Sequence, residues 1–156
     1  WNARTRSPKG SAALLSVEVD SPDGMVEFGR LLGKRLRAGD LVILTGDLGA
    51  GKTTLMRGVG QGMGVRGAVT SPTFVIARRH PSEVGGPALV HADAYRLGSA
   101  AEFEDLDLDG DDAVVCVEWG RDRAEGLNDQ RLEIDIETVG DGRRLTVRGV
   151  NRGVPL

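Results

Sequence analysis

A single cysteine, Cys116, rules out an internal disulfide framework and fits a reducing compartment. With only two histidines beside it, the chain has no cysteine/histidine cluster of the kind that holds structural zinc. Aromatic residues make up 4% of the chain, and no platform for stacking bases is evident. Neither sign of charge dominates. Lys and Arg number 20 against 23 Asp and Glu, so a net charge of −3 gives a surface that does not by itself attract nucleic acid or anionic lipid. No apolar run approaches the roughly 20 residues of a membrane helix. The opening WNARTRSPKG lacks the apolar segment of a signal peptide, and residues 1–11 read as a flexible basic tail. A cytoplasmic location is the expectation. What remains is a chain of 156 residues, 40% apolar, which suits one compact α/β domain over residues 12–150 and a short tail over 151–156.

Residues 13–20, ALLSVEVD, read as a first strand. Ser21 is a plausible N-cap with Pro22 at the first helical position, and Met25, Phe28, Leu32 and Leu36 recur at helical spacing to about Arg37, with Gly39 as the stop. Residues 40–46, DLVILTG, form the short continuous apolar run of a strand buried on both faces. A glycine-rich loop follows, then a helix from Lys52 to about Gly62. Residues 73–80 and 88–95 read as a strand hairpin, 99–108 as a short acidic helix, and 112–119 as another buried strand. Residues 131–150 read as a C-terminal β-hairpin about a Gly-Asp-Gly turn.

Residues 46–53 spell GDLGAGKT, a full match to G-x-x-x-x-G-K-[ST], with a buried strand running in and a helix running out. Glycines at 46, 49 and 51 let backbone N–H groups turn onto phosphate oxygens, because no Cβ blocks the approach. Asp47, Leu48 and Ala50 lie within the same cradle. Lys52 supplies a point charge to the β- and γ-phosphates, the Thr53 hydroxyl suits Mg²⁺, and the helix start adds its positive end. The metal also needs an acid near the C-terminal end of a neighbouring strand. Glu118, closing AVVCVE, and Asp93, in LVHADAYR, both qualify. Residues 70–74, TSPTF, place hydroxyls in a proline-stiffened loop.

The motifs GDLGAGKTTLMRG, SPTF, HADAYRL and VEW, in this order, resemble the TsaE (YjeE) family, bacterial P-loop ATPases of tRNA threonylcarbamoyladenosine synthesis. The resemblance runs from about Phe28 to Leu127. It implies a single P-loop NTPase domain with a mixed β-sheet and flanking helices. It further implies that Gly49, Gly51, Lys52, Thr53 and Thr54 hold ATP phosphates and that Thr53 and Glu118 coordinate Mg²⁺. Ser71–Phe74 would be a first switch-like loop, Asp93 with Tyr95 and Arg96 the second conserved segment, and Trp119 would lie beside the nucleotide. Asp93, Lys52 and Glu118 would be the catalytic set. The implied partners are TsaD-like and TsaB-like proteins, with tRNA contacted only indirectly. Ala92 and Ala94 stand where family members often carry a bulkier residue.

Other patterns carry less. GMGVRG, residues 62–67, matches G-x-G-x-x-G but follows a helix, whereas a dinucleotide fingerprint follows a strand. DLDLDG, 105–110, starts like an EF-hand loop, yet Cys116 stands at its twelfth position and cannot give the bidentate carboxylate. His91 reads as a partly buried strand histidine, and Cys116 as inert core. A small-molecule kinase on the same P-loop is the alternative function, with Arg121 and Arg123 as its compact lid candidates. A nucleotide-gated binding module is a third.

Overall fold

The computed structural model describes residues 2–6, 13–47, 49–67, 77–94, 112–119, 124–125 and 128–156. Strand β1 is Asn2–Arg6, β2 is Ala13–Val19, and helix α1 is Pro22–Gly33. Strand β3, Leu41–Gly46, leads through the glycine-rich loop into α2, Lys52–Met63. Then come β4 (Ala77–His80), β5 (Ala88–Asp93), β6 (Ala113–Glu118), β7 (Arg131–Val139) and β8 (Gly142–Val150). They form one mixed sheet in the order β1-β2-β8-β7-β3-β6-β5-β4. The four central strands, β7, β3, β6 and β5, run parallel. The outer pairs are antiparallel, including the expected β4–β5 and β7–β8 hairpins.

Burial follows the residue pattern. Every residue of β6 is buried, as are the first four of β3, because apolar clusters cover both faces of the sheet centre. On one face Phe28 and Leu32 of α1 and Leu55 and Met56 of α2 pack onto Val42, Leu44, Val114 and Ile134. On the other, Leu41, Ile43, Val90, Val115 and Val117 form a second cluster rich in alanine. Strand β7 instead alternates, burying Leu132, Ile134 and Ile136 and turning Glu133 and Asp135 outward, which is the signature of a one-sided strand.

Two elements differ from the sequence expectation. Residues 2–6, expected in a flexible tail, form β1, an antiparallel edge strand on β2. An edge needs hydrogen-bonding backbone rather than an apolar sequence, so the absence of an apolar run did not exclude a strand. Helix α1 ends at Gly33, with Lys34 as C-cap, one turn before the expected stop. The apolar spacing persisted to Leu36 because a turn carries it: Leu36 N–H donates to Leu32 O at 3.1 Å, and the side chain stays buried. At the other end the expected cap is present, with Ser21 Oγ accepting from Gly24 N–H at 3.0 Å.

Helices α1 and α2 touch through glycine. A Cβ on Gly58 would stand 2.2 Å from Val26 O, one on Gly62 2.1 Å from Arg30 O, and one on Gly33 2.3 Å from Val59 O. Each glycine costs its helix about 1 kcal/mol relative to alanine. Backbone-to-backbone approach offsets that cost and holds α2, and so the loop before it, close against α1.

Candidate functional site: a phosphate loop at the ends of three parallel strands

Strand β3 delivers the chain to Gly46 at the C-terminal edge of the parallel strands, where ligands of open α/β sheets bind. The loop turns through left-handed backbone at Gly49 (φ 79°) and Gly51 (φ 111°), conformations that L side chains rarely adopt. Helix α2 starts at once with Lys52, so its first N–H groups open onto the loop. Lys52 is buried, and its Nζ donates to Gly46 O at 2.6 Å and Asp47 O at 2.9 Å. The ammonium also lies 4.4 Å from the centre of the Trp119 ring. Burial holds its pKa below the ordinary lysine range, opposed by the negative charges of Glu118, Asp47 and Asp93.

The two acids arrive on neighbouring strands. In the parallel register Asp93 of β5 stands opposite Glu118 of β6, and Glu118 opposite Leu44 of β3. Alternation puts Leu89, His91 and Asp93 on the helix-covered face of β5, as Val114, Cys116 and Glu118 are on β6. Glu118 is 4% exposed, and its Oε2 lies 2.7 Å from His91 Nε2. His91 is fully buried, where the sequence suggested a partly buried residue. Immediately after Glu118 the backbone reverses at Trp119, a non-glycine residue at φ 60°, and Trp119 N–H donates to Leu44 O. Such strain persists where the surroundings over-determine it; here it folds the indole back over Lys52.

Beside the loop is a cavity of about 260 Å³, bounded by Ser21 and Met25 of the α1 start, Gly51 and Thr54, and Asp141 and Arg143 of the β7–β8 hairpin. Arg143 was not singled out from the sequence. Its Nε donates to Ala50 O at 3.0 Å and a terminal nitrogen to Gly49 O at 3.4 Å. It thereby ties the hairpin to a loop more than 90 residues earlier. No local motif announces it; the available hint was an arginine directly after the Gly-Asp-Gly turn. Residues 48, 71–74, 95, 96, 121 and 123, named from the sequence, lie outside the described residues, as do the acidic segments 99–108 and 105–110. GMGVRG closes α2, with Gly64 as a left-handed C-cap, so it follows a helix and not a strand. Cys116 is buried, and its thiol is pushed well up by that burial.

Residues 19–146 match the TsaE family, described as threonylcarbamoyl adenosine biosynthesis protein TsaE. The chain belongs to the TsaE family. A tRNA threonylcarbamoyladenosine biosynthesis protein TsaE of Streptomyces coelicolor is 60% identical over 134 residues, covering 81% of this chain and 90% of that protein. The Bacillus subtilis protein of the same description is 38% identical over 127 residues, covering 80% and 78%. Among solved structures, Bacillus subtilis YdiB superposes with a TM-score of 0.73 at 30% identity, covering 89% of this chain and 87% of that one. The mixed sheet with its flanking helices is therefore an arrangement shared with that neighbour. Ala92 and Ala94 are fully or almost fully buried in this chain.

Proposed function

We propose that this chain is the Mg²⁺-dependent, ATP-hydrolysing member of the machinery that makes threonylcarbamoyladenosine in tRNA. The observation that carries the reading is the convergence of Lys52, Asp93 and Glu118 at the adjacent ends of β3, β5 and β6, in a chain of the TsaE family. Backbone N–H groups of residues 47–51 and the α2 start bind the phosphates. Lys52 exchanges its two loop carbonyls for the β- and γ-phosphate oxygens, and Thr54, which lines the cavity beside the loop, joins the phosphate contacts. Thr53 and Glu118 would hold Mg²⁺. The donor set fits: both offer oxygen, Glu118 is a buried acid facing a lysine, and Mg²⁺ on a nucleotide keeps waters and phosphates as its other ligands. Among the described residues no group of three His, Cys, Asp or Glu forms a protein cage, and such a site needs none. When bound, Mg²⁺ neutralises charge that develops on the phosphates. Asp93 orients the attacking water. Trp119 shields the lysine from solvent on one side.

TsaD-like and TsaB-like proteins are the proposed partners, with tRNA contacted mainly through them, in the cytoplasm. Among the described residues no helix is long and apolar enough to cross a membrane. The one described arginine on the loop, Arg143, is engaged with the Gly49 and Ala50 carbonyls, and an arginine finger is worth about 10³ to 10⁵ in turnover, so a partner that supplies one would speed hydrolysis by this chain. Phosphate release from ATP, measured with and without a TsaD–TsaB pair and with and without Mg²⁺, tests the reading. Slow release alone and faster release with the pair is expected. Mg²⁺-independent release, or transfer of the phosphoryl group to a small metabolite, would overturn it.

A further inference from the structure

His91 sits two residues before Asp93 on β5, opposite Cys116 in the register, so its ring reaches forward along the strands to the end of β6. It is fully buried, and among the described residues its Nδ1 has no hydrogen-bond partner. Among the described residues its hydrogen-bond partner is Glu118: Nε2 lies 2.7 Å from Oε2. A carboxylate that binds a cation only accepts, so in that role of Glu118 the hydrogen of the pair sits on Nε2, which donates. The position itself asks for an apolar residue, since Leu89, Val90 and Ala92 around it on β5 are all buried. A half-satisfied imidazole there is disfavoured by burial. What it supplies is a fixed donor to one oxygen of a carboxylate that would otherwise turn about its side-chain torsions.

We infer that His91 is a positioning residue: it holds Oε2 of Glu118 so that Oε1 is presented to the divalent cation of the bound nucleotide. The inference rests on the reading of Glu118 as a cation ligand. Partners that orient metal-binding side chains are worth about 10- to 100-fold in metal affinity. The effect belongs to the cation and not to the nucleotide, which the loop and Lys52 hold independently.

The test uses the full chain with ADP and Mn²⁺ as the probe, following bound Mn²⁺ by electron paramagnetic resonance. Metal-free ADP affinity and circular dichroism are measured alongside. Glu118→Gln is expected to raise the Mn²⁺ half-saturation point. His91→Leu, lacking any donor, is expected to raise it by about 10-fold or more with metal-free ADP affinity unchanged. His91→Gln places an amide donor near the Nε2 position and should restore most of the loss. In the Glu118→Gln background His91→Leu should add nothing. If Glu118→Gln leaves Mn²⁺ binding untouched, the cation reading of Glu118 fails. If Glu118→Gln matters but folded His91→Leu binds Mn²⁺ like the parent, the role of His91 alone is overturned. Should His91→Leu not fold, His91→Asn replaces it, because its shorter amide falls short of Glu118. Equal Mn²⁺ binding by the Asn and Gln variants then overturns the inference.

Discussion

At the scale of the residue, Lys52 has the clearest physical role. Its ammonium is buried, bonded to two carbonyls and capped by an indole, so it is pre-placed over the loop and not free to wander. A hydrogen bond to a charged group is worth about 1.5–3 kcal/mol. Lys52→Ala should therefore weaken ATP binding by roughly 10- to 150-fold, as read by equilibrium titration. Unchanged affinity would remove the phosphate-loop assignment. The two acids should separate in their effects. Glu118→Gln should weaken the Mg²⁺ dependence of hydrolysis, because an amide is a poorer ligand for a hard cation than a carboxylate. Asp93→Asn should lower turnover more than nucleotide affinity. Normal hydrolysis by both variants would reduce these acids to strand ends.

At the scale of the element, the α1–α2 contact and the β7–β8 hairpin hold the loop from two sides. Alanine at Gly58 would gain about 1 kcal/mol of helix propensity. Its Cβ, however, meets a backbone oxygen at 2.2 Å, and a backbone cannot step aside as a flexible side chain can. Overpacking of this kind costs about 1–3 kcal/mol. Gly58→Ala should thus lower the thermal midpoint, while Gln61→Ala on the exposed face of α2 should leave it nearly unchanged. Calorimetry of the two variants decides, and a Gly58→Ala protein as stable as the parent would show that the helices can part without cost. Arg143 acts on the loop from the hairpin. Arg143→Ala should weaken nucleotide binding by roughly 2- to 12-fold, the equivalent of about 0.5–1.5 kcal/mol for a lost hydrogen bond, with the fold intact by circular dichroism.

At the scale of the whole molecule, charge is balanced locally as well as in sum. Arg30, Arg79, Arg131, Arg144, Arg148 and Arg152 each pair with a neighbouring carboxylate. Most of these pairs are exposed and add little stability, but each engages a cation that could otherwise neutralise a phosphate, the term that dominates nucleic-acid affinity. The isolated chain should therefore hold tRNA weakly at near-physiological salt. Lys34, Arg35 and Arg37, just after α1, form the densest basic group in the sequence, and a looser one, Arg4, Arg6 and Lys9, begins on the edge strand β1. Titration of labelled tRNA checks this. Tight binding that survives Arg4→Ala, Arg6→Ala and Lys9→Ala together would reveal a folded basic surface elsewhere.

The amino-acid order alone determined what depends on contiguous backbone: the phosphate loop, its glycines and lysine, the Ser21 cap, the doubly buried strands and both hairpins. These are short-range matters of spacing, φ and local hydrogen bonding, so a run of a dozen residues contains them. It also offered Glu118 and Asp93 as acids at strand ends, and gave the resemblance that named the family. That these acids stand side by side was decided by the parallel register of β5 on β6, which no local pattern specifies. The same holds for His91 reaching Glu118, for Arg143 reaching the loop, for the glycine contact of α1 with α2, and for β1 joining the sheet edge. Each joins groups from separate elements. Their distances follow from how the sheet orders its strands and how closely the helices settle on it, and only the folded chain sets those.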